Sequence, residues 1–343
     1  MPVPVAILGA TGYAGEGALR LLLGHPGFQV VHVGSDRLAG TRLDVAEPAF
    51  VGLTDLVLGP DTPEAIVASG AKAVVLAKKS VEVTKVVPAL LDAGLRLVDI
   101  GAEFRLRDPA SYRRWYQEDH ACPQLLGEAV YGLSEIHTEA VRGARVVGNP
   151  GCYASSILLP LIPLLRAGCI DLAAPISAIG YSGLSGAGKR FLEKNNNLFW
   201  SVNENLRAYK QVGHQHTGEV DQELGLAASG PVHCSFVPHL APITRGIHTT
   251  ITARLKKDLA AVQAAWTTTY GGRPFVRIRP GTVEVSNVTG TNFCDIAAFA
   301  DGQTLIITSV LDNLVKGASG QAVQNLNLMY GYAETDGLLH RTC

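Results

Sequence analysis

Short apolar runs alternate with amphipathic stretches along the first 150 residues of the chain. The runs of strand length are Val3–Leu8, Phe28–Val33, Ala73–Ala77 and Leu95–Ile100. Between them, Tyr13–Leu23 and Ser80–Ala93 have the apolar spacing of helices, and the first of these ends at a Gly-His-Pro stop signal. Strands that alternate with helices and are apolar on both faces predict an α/β domain with a doubly wound parallel sheet.

The pattern changes after about residue 150, where Cys152–Arg166 reads as one apolar helix. Runs rich in Thr, Val and Ile follow it and predict strands at Ile176–Tyr181, His233–Val237, Ile247–Leu255, Phe275–Arg279 and Leu305–Val310. Helical spacing is sparse here and is found at Leu259–Tyr270 and Gly320–Tyr330. This part predicts a second, α+β domain with one broad and mostly antiparallel sheet.

Composition narrows the class of protein. Hydrophobic residues make up 47% and charged residues 17% of the 343 positions, which excludes general disorder. Lys and Arg number 29 against 30 Asp and Glu, so the chain offers no overall field for nucleic acid or an anionic membrane. We find neither an apolar run of membrane-spanning length nor a signal peptide. The chain has six scattered cysteines without a C-x-x-C pair, so we expect reduced thiols, a cytoplasmic protein and no metal site.

The turn after the first strand reads Gly9-Ala10-Thr11-Gly12-Tyr13-Ala14-Gly15. Glycine allows positive φ and close approach of a pyrophosphate, while the helix that follows offers free N–H groups and a partial positive charge. The spacing G-x-x-G-x-x-G differs from the G-x-G-x-x-G of many NAD enzymes. A strand–turn–helix context at the chain start nevertheless favours a Rossmann-type dinucleotide site over a plain tight turn. We expect its cofactor-binding residues to be Gly9, Thr11, Gly12, Tyr13, Ala14 and Gly15.

The second strand ends in Gly34-Ser35-Asp36-Arg37, about where the adenosine ribose of a dinucleotide lies. Asp36 would accept hydrogen bonds from a ribose 2′-hydroxyl, whereas Ser35 and Arg37 would bind a 2′-phosphate. Asp36 therefore favours NAD, whereas Ser35 and Arg37 favour NADP. The match between arginine and phosphate favours NADP, with Ser35 and Arg37 as its ligands.

Cys152 is the candidate nucleophile. It follows Asn149-Pro150-Gly151 and begins the apolar helix, where the helix dipole favours a thiolate over a thiol. The other cysteines lack such a position and read as buried, inert thiols or ordinary exposed ones. They are Cys122, Cys169, Cys234, Cys294 and Cys343.

A thiolate nucleophile needs a proton relay, and Gly213-His214-Gln215-His216 offers two histidines in a polar stretch. In an extended segment alternate side chains point to opposite sides, so only one of the pair is expected to face the cysteine. The other histidine is expected to orient the loop, and the spacing leaves open which of the two reaches the thiol. His239 and His248 have no comparable context and are interpreted as structural.

A second glycine-rich loop, residues 181–188, follows the first strand of the second domain and reads Tyr-Ser-Gly-Leu-Ser-Gly-Ala-Gly. Its backbone N–H groups at Ser182, Gly183 and Gly186 are expected to face a nicotinamide or an acyl oxyanion. Arg105 and Arg245 stand beside turn residues, and each is either a clamp for a carboxylate or phosphate or a surface ion pair.

Taken together, these residues resemble the N-acetyl-γ-glutamyl-phosphate reductase family, of the aspartate-semialdehyde-dehydrogenase type. The resemblance covers nearly the whole chain. Besides the glycine turn and Asn149–Tyr153 it rests on Phe104-Arg105-Leu106, Ser185-Gly186-Ala187-Gly188, Gly213–Thr217, Thr244-Arg245-Gly246 and Asp312-Asn313-Leu314-Val315-Lys316-Gly317.

The resemblance implies NADPH-dependent reduction of an acyl phosphate, N-acetyl-γ-glutamyl phosphate, to its semialdehyde with release of phosphate, a step of arginine biosynthesis. It implies that Cys152 forms a thioester and that His214 moves the proton. It adds Asn313 to the cofactor-binding residues and makes Arg105, Asn149, His216 and Arg245 substrate-binding. Residues 1–150 with 313–343 would form the dinucleotide domain, and residues 151–312 a catalytic domain through which homodimers or homotetramers form.

Two departures from the family pattern and three rival functions accompany this reading. After the fourth strand the chain has Leu76-Ala77-Lys78-Lys79-Ser80 where the family usually has Leu-Pro-His-Gly, and Ala154 and Gly218 replace prolines that the family often has. The nearest rival is a paralogous reductase of carrier-protein-bound aminoadipyl or glutamyl phosphate in lysine or ornithine synthesis, which tends to have Gly-Cys-Asn instead of Gly151-Cys152-Tyr153. The others are a non-catalytic NADP-binding sensor and a Cys–His hydrolase without a nucleotide.

Overall fold

The computed structural model describes residues 1–78, 81–189 and 198–339, and side chains 81–83 are left out of the description. The chain divides into two compact units. The first comprises Met1–Pro150 together with the described residues from Ala318 onward, and the second comprises Gly151–Gly317. The chain passes from the second unit back to the first between Gly317 and Ala318, whereas the sequence predicts that boundary between residues 312 and 313. Each unit is described by itself below.

The first unit is built on a parallel sheet. In the described residues it has seven strands in the order β3-β2-β1-β4-β5-β7-β6, and every neighbouring pair is parallel. The strands are β1 (Val3–Leu8), β2 (Phe28–Gly34), β3 (Leu58–Gly59), β4 (Ala73–Leu76), β5 (Arg96–Asp99), β6 (Val130–Tyr131) and β7 (Val146–Gly148). The central strands are almost fully buried, as a sheet covered on both faces requires.

The helices of this unit connect the strands and include the last helix of the chain. They are α1 (Tyr13–Leu23), α2 (Leu43–Ala46), α3 (Pro63–Ala68), α4 (Val81–Asp92), α5 (Pro109–Tyr116), α6 (Thr138–Gly143) and α11 (Gly320–Tyr330). The last helix is buried all round, although it is rich in amides. Several of those amides form hydrogen bonds within the unit, for example Asn325 Oδ1, which accepts from Ser134 Oγ at 2.6 Å.

The second unit is built on a mixed sheet. In the described residues its strand order is β12-β13-β14-β11-β8-β10-β9, and the β8–β10 and β12–β13 pairs are parallel while the other pairs are antiparallel. The strands are β8 (Ile176–Ser182), β9 (Arg207–Ala208), β10 (Cys234–Leu240), β11 (Ile247–Arg254), β12 (Val276–Ile278), β13 (Cys294–Asp301) and β14 (Thr304–Leu311).

Helix α7 forms the core of the second unit. The helices here are α7 (Cys152–Arg166), α8 (Leu198–Val202), α9 (His216–Ala228) and α10 (Leu259–Tyr270). Pro163 inside α7 has no N–H to donate to Leu159 O, and the Tyr270 hydroxyl donates to that carbonyl instead. Trp266 Nε1 donates to Pro160 O at 2.9 Å. Two aromatic residues of α10 therefore satisfy backbone carbonyls of a helix that contains two prolines.

The predicted fold class is confirmed: a doubly wound parallel sheet is joined in sequence to a mostly antiparallel mixed sheet. The predicted bounds of α1, α7, α10 and α11 agree with the structure. The predicted start of α4 at Ser80 lies outside the described residues. Several shorter elements were missed, and so were the longer α9 and β13; the stretch that begins at His216 is helical instead of extended. Among the described helices, none combines the length and apolar character needed to cross a membrane.

Candidate functional site

The glycine turn of the first unit is shaped by close backbone contacts. Gly9 has φ +79°, and a Cβ at Gly15 would lie 2.2 Å from Gly9 O, so both positions require glycine. Gly12 differs, because a Cβ there would meet only Gly9 O at 3.6 Å. Gly12 caps α1 without a side-chain hydrogen bond. The turn thus combines space beside Gly12 with a helix N-terminus that no side chain caps, which fits the pyrophosphate of a dinucleotide.

The residues expected to select the cofactor lie just after β2. Ser35 is half-buried and precedes a short 3₁₀ turn, while Asp36 and Arg37 are exposed. Asp36 Oδ1 accepts a hydrogen bond from Asp61 N at 2.8 Å, and Lys78 Nζ lies 3.3 Å from Asp36 Oδ2. Lys78 belongs to the unusual loop noted in the sequence, and Lys79 and Ser80 lie outside the described residues. Asp36 and Arg37 favour different cofactors, and the positive charge of Lys78 beside Asp36 is a third charge that bears on this choice.

Arg105 and Asn149 are buried in the first unit and bind protein groups there. Arg105 Nε donates to Asn149 O at 2.8 Å, and its Nη2 donates to Ile100 O at 3.1 Å. The Asn149 side chain donates to Ala318 O at 3.1 Å and accepts from Asn325 Nδ2 at 3.1 Å. These contacts hold the backbone that leads into Gly151, so they support a positioning role for both residues.

In the second unit, Cys152 is the first residue of the 15-residue helix α7, as predicted. Its neighbour Gly151 donates its N–H to Glu219 Oε2 at 3.0 Å. On another side, a Cβ at Gly317 would lie 2.6 Å from Cys152 Cβ. The half-buried Cys152 therefore stands at a helix start, directly after a glycine that a carboxylate binds and close to the backbone of Gly317.

The two histidines are both buried and lie against each other. Their rings are 4.8 Å apart and nearly perpendicular, and the backbone N–H of His216 donates to His214 Nδ1 at 3.2 Å. His216 begins α9, and its Nε2 lies 3.8 Å from Glu219 Oε1, one turn further along that helix. A Cβ at Gly151 would lie 2.5 Å from both of these atoms. His216 and Glu219 thus abut the residue that precedes Cys152.

Sequence reasoning missed Glu219 and two tyrosines near the thiol. The signal for Glu219 was present as a His-x-x-Glu spacing, which places both side chains on one face of a helix. Burial raises the pKa of Tyr153 far above its usual range and that of Tyr209 to about 12. Both hydroxyls therefore stay protonated at neutral pH, which excludes them as the base. Tyr153 donates to His239 O at 3.1 Å.

The second glycine loop joins two other predicted segments of the second unit. Asn313 Oδ1 accepts from Gly246 N at 2.7 Å, and its Nδ2 donates to Ser185 Oγ at 3.0 Å. Arg245 Nη2 lies 3.2 Å from the buried carboxylate of Asp312. The predicted residues that meet here are Ser182, Gly183, Gly186, Arg245 and Asn313.

The remaining described cysteines are buried. Burial raises the pKa of Cys122 and Cys169, and raises that of Cys234 to about 12. Such thiols are poor nucleophiles. Cys343 lies outside the described residues. Among the residues that the structure describes, no group of three or more His, Cys, Asp or Glu is arranged to hold a metal ion.

Both halves of the chain match one class of oxidoreductase. Residues 4–144 match the semialdehyde dehydrogenase NAD binding domain, and residues 152–313 match the semialdehyde dehydrogenase dimerisation domain. The fold agrees with solved members of this class. An aspartate semialdehyde dehydrogenase II from Vibrio cholerae complexed with ASA has a TM-score of 0.74 at 17% identity, covering 96% of this chain and 99% of that one. The enzyme from Candida albicans with NADP has a TM-score of 0.70 at 15% identity, with coverage of 96% and 99%.

A closer relationship is seen in sequence. The N-acetyl-gamma-glutamyl-phosphate reductase of Laribacter hongkongensis is 43% identical over 340 residues, which cover 98% of each chain. The chain therefore belongs to the N-acetyl-γ-glutamyl-phosphate reductase family of semialdehyde dehydrogenases. The resemblance drawn from the sequence motifs is confirmed.

Proposed function

We propose that the protein reduces N-acetyl-γ-glutamyl phosphate to N-acetylglutamate semialdehyde and phosphate with NADPH, through a thioester on Cys152. The name of the 43% identical relative supports the substrate. The observation that carries the chemistry is a half-buried thiol at the start of α7, with a His–Glu pair against the residue before it.

The proton relay is best assigned to His216. Its Nε2 and Glu219 Oε1 would both contact a Cβ at Gly151, whereas His214 accepts a hydrogen bond from the His216 backbone through Nδ1. We therefore move the acid/base role from His214 to His216 and give His214 the task of holding the start of α9. Glu219 acts as a positioning residue for the His216 ring.

In the first step His216 takes the proton of the Cys152 thiol, and the helix N-terminus stabilises the thiolate. The sulfur attacks the acyl carbon, a C–S bond forms, and the C–O bond to phosphate breaks. Protonated His216 returns its proton to the departing phosphate oxygen. Because Gly151 N–H is already bonded to Glu219, oxyanion donors must come from later in the first turn of α7.

A hydride, which bound NADPH would supply, reduces the thioester on Cys152 to the anion of a thiohemiacetal. Collapse of that anion releases the aldehyde and returns the Cys152 thiolate. One proton taken from solvent resets the Cys152–His216 pair. The thioester divides one difficult displacement into two easier steps.

In the first unit, the turn from Gly9 to Gly15 would hold the pyrophosphate, and Ser35 and Arg37 would hold the 2′-phosphate. The match to a dimerisation domain supports a homo-oligomer, and we propose a homodimer or homotetramer. A reactive free thiol and a reducing nucleotide both suit the cytoplasm.

The experiment is steady-state turnover with N-acetylglutamate semialdehyde, phosphate and NADP or NAD, which is the reverse reaction. Cys152→Ala is expected to abolish turnover, while Cys169→Ala, a buried thiol in the same unit, retains it. His216→Asn is expected to lose more kcat than His214→Asn. Near-wild-type turnover of Cys152→Ala would refute the mechanism, and the opposite order of the histidine variants would return the role to His214.

A further inference from the structure

Lys78 lies where the ends of four parallel strands meet. It follows β4, and an ideal Cβ at Gly9 after β1 would lie 3.1 Å from Lys78 Cβ. Its Nζ reaches Asp36, which follows β2, at 3.3 Å and Asp61, which follows β3, at 2.5 Å. The Lys78 cluster, defined as Lys78, Asp36 and Asp61, therefore spans the carboxyl end of the sheet, where dinucleotides bind in such folds.

Asp61 is the buried member of the Lys78 cluster. Its side chain is 5% exposed, and a Cβ at Gly34 would lie 2.0 Å from Asp61 Oδ1, so the carboxylate occupies the space that glycine leaves open. Burial raises the pKa of Asp61, and the hydrogen bond and charge of Lys78 oppose that rise. Lys78 is therefore fixed in position by a buried partner instead of ranging freely over the surface.

Asp36 is the exposed member, with 63% of its side chain accessible. Its two oxygens are engaged by Asp61 N and Lys78 Nζ. A carboxylate without these partners would accept hydrogen bonds from the hydroxyls of the adenosine ribose and would repel a 2′-phosphate. Here the hydrogen bond from Asp61 N, with help from Lys78, lowers the pKa of Asp36, so the carboxylate is charged and its charge must be offset.

We propose that Lys78 determines the cofactor preference by offsetting Asp36, so that a site with an acidic residue after β2 accepts the adenosine 2′-phosphate. This inference rests on the proposed use of NADPH. It assigns a specificity-determining role to a residue that departs from the family pattern. Arg37 and Ser35 bind the phosphate, and Lys78, which shares its one positive charge between Asp36 and Asp61, lessens the repulsion that would oppose them.

The test measures binding of 2′,5′-ADP and 5′-AMP to the full-length protein by isothermal titration calorimetry. Lys78→Met is expected to weaken binding of 2′,5′-ADP by roughly tenfold or more and to leave binding of 5′-AMP within about twofold, because only 2′,5′-ADP carries a 2′-phosphate. Lys72→Met is the matched control, since it removes the same charge at the opposite end of β4 and is exposed. An unchanged ratio of the two affinities in Lys78→Met would overturn the inference.

A double-mutant cycle tests whether Lys78 acts through Asp36. In the Asp36→Asn background, the loss of 2′,5′-ADP affinity caused by Lys78→Met should be at most about a third of that in the wild type. Equal losses in both backgrounds would overturn the role in offsetting Asp36. Lys78→Arg should preserve the preference, and Lys78→Met with Asp61→Asn gives a variant without an unpaired buried carboxylate if Lys78→Met alone unfolds.

Wild-type turnover separates this inference from the proposed function. A protein that turns over with NADP, and whose Lys78→Met variant keeps the ratio of affinities, refutes the role of Lys78 alone. A wild-type protein that binds 2′,5′-ADP and shows the expected cycle, but has no thiol-dependent turnover, refutes the proposed reaction and leaves Lys78 as a determinant of nucleotide binding.

Discussion

Gly317 provides a sharp test of how the thiol is held. An ideal Cβ at this position would lie 2.6 Å from Cys152 Cβ, 3.1 Å from Cys152 Cα and 3.3 Å from Asp312 O. Carbon atoms that are not bonded normally stay about 3.5–4.0 Å apart, so Gly317→Ala must displace Cys152 or its own backbone by about 1 Å. The hydrogen bond from Gly317 N to Asp312 O at 2.9 Å resists movement of the glycine.

Two magnitudes follow from this displacement. Forced packing of this kind costs about 1–3 kcal/mol of unfolding free energy. A shift of about 1 Å at a reacting atom can lower turnover by roughly 10²-fold. We therefore expect Gly317→Ala to lose much more kcat than stability, since the strained contact is with the nucleophile itself.

The assay compares kcat and thermal unfolding of Gly317→Ala with those of Gly281→Ala. Gly281 is in the same unit, and a Cβ there would meet no atom within 4 Å. This control also removes the effect of lower chain entropy in the unfolded state, which accompanies any Gly→Ala change. Turnover of Gly317→Ala equal to that of Gly281→Ala would refute the reasoning, because it would mean that the crowding beside Cys152 has no consequence for the sulfur.

Two further predictions concern packing and thiol reactivity. Tyr270→Phe should lower the free energy of unfolding by about 1–3 kcal/mol, because it leaves the buried Leu159 carbonyl without that donor, whereas Tyr330→Phe, which loses an exposed hydrogen bond, should cost less in the same denaturant titration. Alkylation by iodoacetamide at pH 8 should label Cys152 and spare Cys234 in mass spectra of the folded protein, because burial raises the pKa of Cys234 to about 12 and leaves roughly one thiol in 10⁴ ionised at that pH. Equal labelling of the two would contradict this account.

Much of the fold could be predicted because the pattern along the chain matches the burial of its elements. Helix α7 is apolar on all sides and is also buried on all sides, so its bounds followed from the sequence. Helix α9 is different, since it contains two glycines and buries Glu219 and Glu223 beside few apolar residues. Its stability comes from tertiary contacts that no local pattern reveals. Strand β13 was missed for a related reason, because its alanines give little β propensity.

The candidate site was predictable where a motif lies within one turn, as at Gly9–Gly15 and Gly151–Cys152. It was not predictable where separate segments converge. The extended-segment argument said only that one of His214 and His216 faces the cysteine, and the choice of His214 came from the family resemblance. The structure has His216 at the helical start of α9, with its ring beside Gly151. The Lys78 cluster likewise draws on loops after three different strands, which only the order of the sheet brings together.

The pairing of α7 with α10 has a consequence for attempts to transplant this domain. Each helix carries half of a hydrogen-bonding arrangement: one supplies carbonyls in a segment interrupted by Pro160 and Pro163, and the other supplies the indole and phenol that satisfy them. A chimera that takes only one of these two helices from a given parent would bury donors or acceptors without hydrogen-bond partners. Recombination between relatives is therefore expected to succeed only at breakpoints that keep both segments from one parent.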